Sequence, residues 1–530
     1  VKKNIIDKTI EFMAPVRAAK RFKARMFLAL TESYAGATKS SRSMYNFNPL
    51  GMDADDHLKY ERQTLIDRSH DLTRNNAMVS GIIASNCTNI VGAGLKMQSR
   101  VDGDFLGLSE EQTDQLETKI EREFRLFSES KECDMARICN FYELQSLALR
   151  QFFTTGEALA LRAFKKRGIM PYGLKVQLFE PERLCNENNK TDGKTDNGYL
   201  YEGVEKDLSG MPLKYWVCSD YPGNTIKRGA LTWRGIDAYD SKTGLQNIYH
   251  IFQQLRPGQT RGIPYLAPVM ESIYNLGKYS KAEMDAAVVA ALFTVFITSE
   301  AGDGAISPAQ PLSETGSKSS DDDVKLNSGA IIGLAPGEKV DTANPGRPNA
   351  NFDPFIQAIL RQIGIALEIP YEVLIKHFTS SYSAARAALL EVWKFYKTRR
   401  VWFVNAFCQP IFEAFMYEAV ATGRISAPGF FSDPVIRKAY LGTEWGGPTQ
   451  GHIDPTKEAE AIKIRTEMCL TTMEMETLEY NGGQFDRNMK QIKRELALKK
   501  SAGIILDSEP VAPVNNKNYP SDNITDGQSQ

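Results

Sequence analysis

The sequence predicts an α+β chain in which helices are the majority. Two observations carry that expectation. Apolar residues recur at helical spacing over most of the chain, whereas residues 157–255 carry short alternating or apolar runs divided by Gly, Pro and Asn clusters. The 530 residues correspond to three or four structural units at about 150 residues each. With 42% hydrophobic and 24% charged residues, the composition is that of a globular protein and excludes a mainly disordered one. Lys and Arg number 64 against 65 Asp and Glu, a formal net charge of −1. That balance excludes a protein coated in positive charge, so contact with nucleic acid has to be local.

The elements follow in order. Residues 1–56 read as a basic arm and flexible segment. Lys2, Lys3, Lys8, Arg17, Lys20, Arg21, Lys23 and Arg25 stand there against Asp7 and Glu11. Such an arm suits nucleic acid, an acidic partner, or simply solvent. Residues 31–56 are rich in Ser, Gly, Asn and Asp and predict loop. From His57 to Ser99 the pattern is helical, then apolar, with a turn at Val91-Gly92-Ala93-Gly94. Ser109 and Gln112 are spaced as a capping box for an amphipathic helix over 109–131. A second helix runs from Phe141 to Phe153 and stops near Gly156. Strands are expected at Ala158–Ala163, Leu174–Phe179, Leu213–Cys218 and Asn247–Phe252.

Helical spacing returns from Ala267 to Leu292. A Gly/Ser/Asp/Pro loop over 300–325 precedes a short strand, Ala330–Leu334. Asp353 then caps a helix whose first position is Pro354 and which ends at Ile369, before Pro370. A long helix follows from Ser383 to Thr422, kinked where Pro410 removes a backbone donor. Helices over 455–477 and 483–502 precede a polar tail, 503–530, expected to be disordered.

Chemistry is sparse. Seven scattered cysteines show no CxxC or metal-ligand spacing and are expected as reduced thiols. The longest apolar run, Ala286–Ile297, is short of the roughly twenty residues a membrane span needs, and no signal-peptide pattern opens the chain. A soluble product of the cytoplasm is the expectation. There is no GxxxxGK[ST] loop, and Met97 stands where the third glycine after Gly92 and Gly94 would complete a dinucleotide fingerprint. No HExxH occurs. Asp53, Asp55, Asp56 and His57 suit either a hard cation or an exposed acidic loop. No nucleophile and base are spaced as a pair. No catalytic residue, cofactor or metal is therefore assigned, and the chain is not expected to be an enzyme.

The long helix says more. Advancing about 100° per residue from Arg386 places Lys397 near 20°, Arg400 near −40° and Lys394 near 80°. These four make a basic stripe with Trp393 inside it, while Phe395, Tyr396, Trp402 and Phe403 cover much of the rest. Around a channel such a stripe would meet phosphates without reading bases; the other reading is an ordinary solvated face.

Several stretches carry a resemblance. They are Arg74-Asn75-Asn76, Asn89 to Gly94, Gly156-Glu157-Ala158-Leu159 and Phe179-Glu180-Pro181-Glu182-Arg183. The most specific block joins His250-Ile251-Phe252 to the run from Arg256 through Pro268. Leu334 to Glu338, Ile369 to Leu374, Ser380 to Arg386, Trp445 to Pro448 and Ile453 to Ala459 complete the series. In this order over residues 60–500 the chain resembles the lambda-type tailed-bacteriophage portal protein family (head-tail connectors).

The resemblance implies the phage portal fold of wing, stem, clip and crown. It implies a ring, usually of twelve subunits, with an axial channel at one capsid vertex of the virion, assembled in the host cytoplasm. Double-stranded DNA would enter through it, driven by the terminase large subunit, and leave by it at ejection. Major capsid or scaffold proteins and head-completion or tail connector proteins are the other implied partners; no membrane is. By analogy, 57–265 would be wing, 266–292 the first stem helix, 293–352 the clip, and 353–369 the second stem helix. Residues 370–382 would be a tunnel loop, 383–454 the long kinked helix and wing return, and 455–502 the crown. Lys376, His377, Arg386, Lys394, Lys397 and Arg400 would then face DNA. Two other readings remain: a minor capsid or adaptor protein without a channel, and a metal-dependent nuclease or maturation enzyme built on Asp53–His57.

Overall fold

Side-chain caps set where eight of the sixteen described α-helices begin. The computed structural model describes residues 12–31, 46–168, 170–224, 230–291, 295–299, 338–342, 352–378, 381–450 and 455–502. Residues 1–59 with 256–258 form one unit, and residues 60–255 with 259–530 the other. In the smaller unit, part of the expected flexible arm is a helix, α1 (Pro15–Thr31), which holds no acidic residue. Its sequence holds five basic residues, and charge alone does not forbid a helical backbone. Residues 54–56, expected as loop, join His57 and Leu58 in α2 (Ala54–Leu58), where the Asp53 carboxylate accepts from the Asp56 N–H at 2.8 Å.

The larger unit opens with α3 (Arg62–Asn75) and α4 (Ala77–Ile90). Asn76 ends the first and caps the second, accepting from the Val79 N–H at 3.2 Å. The expected turn at 91–94 follows, then β1 (Lys96–Ser99), α5 (Gly103–Leu106) and α6 (Glu110–Ser128). Ser109 and Gln112 close the capping box of α6, and Asn140 with Glu143 does the same for α7 (Phe141–Thr155). Gly156, at φ 86°, ends α7 and turns the chain directly into β2 (Glu157–Phe164). β3 (Leu174–Phe179) pairs with one edge of β2.

A five-stranded antiparallel meander follows: β4 (Gly193–Thr195), β5 (Gly198–Tyr201), β6 (Val204–Lys206), β7 (Pro212–Cys218) and β8 (Trp233–Asp237). β9 (Ile248–Phe252) returns to the other edge of β2. Strands of three or four residues such as β4 and β6 are too short to show alternation. Next come α8 (Met270–Ala291) and the antiparallel pair β10 (Val295–Ser299) and β11 (Glu338–Thr342). The strand expected at 330–334 lies outside the described residues.

α9 spans Phe352–Ala366, so it starts ahead of Asp353, the expected cap. α10 (Tyr371–Ile375) follows Pro370, and α11 (Tyr382–Phe403) opens the long helix. The Pro410 kink takes the form of a π-helical turn, Val404–Cys408, which passes into α12 (Gln409–Ala421). Widening the ladder just before proline shifts the carbonyls that would otherwise face a missing donor. α13 (Pro434–Tyr440) leads to β12 (Thr443–Gly446), which pairs antiparallel with β1, Lys96 opposite Gly446. The expected helix over 455–477 is two helices, α14 (Pro455–Glu467) and α15 (Met473–Asn481), and α16 (Phe485–Ser501) closes the order. Cys469, at φ 56°, breaks the first, and Thr472 caps the second.

One core unites α4, α6, α7, α11 and α12 with β2 and β3. Its centre is aromatic: Phe124 meets Phe415 edge-on at 5.2 Å, and Phe141 stacks on Phe407 at 5.9 Å. Each such buried ring contributes about 1.5–3 kcal/mol through removal of apolar surface from water.

Candidate functional site

The most specific sequence blocks meet in the interior. Glu157, the first residue of β2, is fully buried and sits between two guanidinium groups. Arg261 donates from Nη2 to Oε1 at 2.5 Å, and Arg62 from Nη1 to the same oxygen at 3.2 Å. The other oxygen accepts from the Gly262 N–H at 2.9 Å and from His250 Nε2 at 2.9 Å. Arg261 spends its remaining donors on the Pro181 and Leu184 carbonyls, both at 2.9 Å, and on the Glu202 carbonyl. Arg62 also pairs with the Glu202 carboxylate. The arginines hold the Glu157 carboxyl well below the usual range despite its burial, while burial pushes His250 down and keeps it neutral. Two arginines, two glutamates and a neutral imidazole sum to zero charge. The cluster is a structural knot with every strong donor matched.

Backbone contact tightens it. A Cβ on Gly156 would stand 2.1 Å from the Ile263 carbonyl carbon, and one on Gly262 would stand 2.1 Å from the Gly156 oxygen. The 259–263 loop therefore lies directly on the α7–β2 junction.

The expected channel residues lie elsewhere. Lys376 ends α10 in the left-handed conformation at φ 54°, and Lys376 and His377 are both exposed. The preceding turn carries a second left-handed residue, Glu368 at φ 56°, whose carboxylate accepts from Arg399 at 3.2 Å. Arg399 also bonds Gln253 and lies over the Phe395 ring, tying the 367–376 segment to α11. Between α9, α10 and α11 opens a cleft of about 720 Å³, lined among others by Arg361, Tyr371, Lys394 and Trp402.

The stripe on α11 divides. Arg386, Lys394 and Lys397 are exposed. Lys394 pairs with Glu391 at 2.8 Å and Lys397 with Glu479 at 2.7 Å; Arg386 has no ion pair among the described residues. Exposed pairs of this kind are weak, about 0–1 kcal/mol, so neither holds its lysine tightly. Arg400 departs from the expectation. Its guanidinium donates to the Asn89 and Ile90 carbonyls at 2.9 Å and to Pro448 at 2.6 Å, and lies 5.4 Å from the Trp393 ring. Burial pushes its pKa down to about 10, which still leaves it charged. It caps the open carbonyls of α4, and helical angle alone could not separate it from its exposed neighbours.

Asp53 is occupied as the cap of α2, and His57 contacts the Leu50 carbonyl through Nε2 and Arg256 through Nδ1. Among the described residues no group of His, Cys, Asp and Glu is arranged to hold a metal.

Residues 40–400 match the family model of the phage portal proteins of the lambda family. The chain belongs to that family. Among portal relatives, the portal protein B of Escherichia phage lambda is 26% identical, covering 82% of this chain and 84% of its own. The portal protein of Escherichia phage N15 is also 26% identical over the same shares. A probable portal protein of Halomonas phage phiHAP-1 is 23% identical, over 85% of this chain and 83% of its own. Among solved structures, a chain in the virion of a native gene transfer agent particle aligns at 12% identity and a TM-score of 0.42, covering 78% of this chain and 92% of that one. In this portal protein the blocks around Gly156-Glu157 and Arg256–Pro268 thus supply the knot, a role that spacing did not reveal. A lone buried acid in an apolar strand, Glu157 ahead of Ala158-Leu159-Ala160, was the available signal.

Proposed function

We propose that copies of this portal protein assemble as a twelve-membered ring whose axial channel passes double-stranded DNA at one capsid vertex. The observation that carries this reading is the lambda-family match running through residues 40–400. In this reading 57–265 is the wing, α8 and α9 are the stem, the segment holding β10 and β11 is the clip, and α14 to α16 build the crown. The 370–382 loop, with Lys376 and His377, and the exposed Arg386, Lys394 and Lys397 meet the phosphates. Arg400 is removed from that set by its three carbonyl partners. Terminase docks on the clip during packaging, head-completion proteins replace it afterwards, and capsid or scaffold proteins hold the wing. The chain itself cleaves nothing. Mass measurement and top-view imaging of the purified protein test the reading: rings with a central hole are expected. Particles without a hole would turn the assignment to an adaptor. DNA cleavage with Mg²⁺ that Asp55→Ala abolishes would turn it to a nuclease.

A further inference from the structure

The C-terminal helices carry two apolar surfaces that nothing among the described residues covers. From Asp486 to Ser501 every side chain of α16 is exposed, and none of the helix is buried. With no residue buried, this helix draws little stability from tertiary packing. Phe485, Met489, Ile492 and Leu496 follow each other at steps of four, three and four, which puts them on one stripe. Met489, Ile492 and Leu496 are each about half exposed, 47–49%.

The second surface is the corner between α14 and α15. Cys469 turns the chain in the left-handed conformation, and Arg465 holds the corner by a bidentate pair with Glu476 at 2.8 and 2.9 Å. Ile464, Met468, Leu470, Met473 and Met475 all point outward there, Leu470 at 71% exposure and Met468 at 65%. Clustered exposed side chains of this size mark an interaction surface, and methionines adapt to an incoming ridge.

Charge selects the occupant. α16 carries six basic residues against two acidic, a net +4, whereas α14 and α15 together carry three basic against six acidic, a net −3. Pairing α16 with another α16 would bring like charges together, while pairing it with the corner brings opposite ones. A ring needs such a head-to-tail contact, made by two different patches on each copy.

We propose that α16 of one copy seats its Met489–Ile492–Leu496 stripe on the α14–α15 corner of the next, closing the ring at this end. The proposal rests on the ring reading above. Cys469 lies on the corner and is exposed, while the other six cysteines are buried or half-buried. Assembled full-length rings of L496C, treated with a short bismaleimide, should therefore give a ladder of linked multimers on a denaturing gel. The double substitution I492E/L496E should lower the ring fraction about tenfold while leaving the monomer's melting temperature unchanged. Rings that give no ladder and tolerate I492E/L496E would overturn the contact and leave the ring reading standing. A ladder from L496C/C469S would show α16 pairing with itself and overturn it too. Wild-type protein that stays monomeric would remove both readings.

Discussion

Replacing Glu157 by Gln would strand two guanidinium groups in the interior. Breaking a buried pair in this way costs about 3–5 kcal/mol, so E157Q should lower the urea midpoint strongly. The pH dependence follows from the directions of shift. Glu157 is held low, so its stabilisation is complete above the unfolded carboxylate value of about 4.3 and is lost as pH falls through the lower folded value. His250 is also held low and adds a penalty as pH drops below about 6.5. His70 behaves oppositely, because its bond to Glu182 at 2.9 Å raises it. Its contribution is present below about 6.5 and fades as pH rises through the raised value. H70Q should therefore lower the melting temperature more at pH 5.5 than at pH 8.5. The effect is less than about 1 kcal/mol because the imidazole is half exposed. Arg400→Ala should destabilise the monomer by about 2–4 kcal/mol through the orphaned α4 carbonyls, whereas Lys394→Ala should change stability by less than about 0.5 kcal/mol. Equal thermal shifts for the two would contradict the division of the stripe.

Among the elements, the α7–β2 junction is the least tolerant. Gly156→Ala places a methyl group against the Ile263 backbone at a positive φ, so soluble yield and melting temperature should both fall sharply. The same scale shows what the sequence could say. Ser109 with Gln112 and Pro354 near the start of α9 are local signals, and both helices lie where those signals point. Local rules also anticipated a break at Pro410, though the chain resolves it by a π-turn that depends on how α11 and α12 pack. The division of α14 from α15 was missed because Cys469 adopts a glycine-like conformation without being glycine. Thr472, followed by Glu474 and Glu476, was the readable start. The meander was only partly legible, since its short strands are defined by their neighbours.

For the whole molecule, reversing Arg386, Lys394 and Lys397 to Glu together should leave ring assembly intact and reduce DNA packaging at least about tenfold. Each phosphate contact contributes to salt-dependent affinity, and three reversals turn attraction into repulsion. Normal packaging by that variant would refute the channel placement. The family resemblance was legible over residues 60–500 because its blocks sit in fixed order, yet their roles were not. Glu157, Arg62 and Arg261 are far apart in sequence, and only the folded chain brings their charges to one point. The near-zero net charge gains a local meaning as well. It is an average over a neutral interior knot, a sparse cationic stripe, and a C-terminal end whose helices carry opposite charges.

The pairing of β1 with β12 bears on how the protein is made. The two strands lie about 350 residues apart. At the usual 5–20 residues per second of synthesis, β1 waits roughly 20–70 s for its partner. During that interval Leu95 and Met97, buried in the finished fold, have no complete pocket. Only a chain synthesised past Gly446 closes this clasp, so in the proposed ring each copy joins after that point. A chain stopped after Gly442 should accordingly be found with chaperones or in aggregates, and co-expression with the full-length protein should not place it in purified rings.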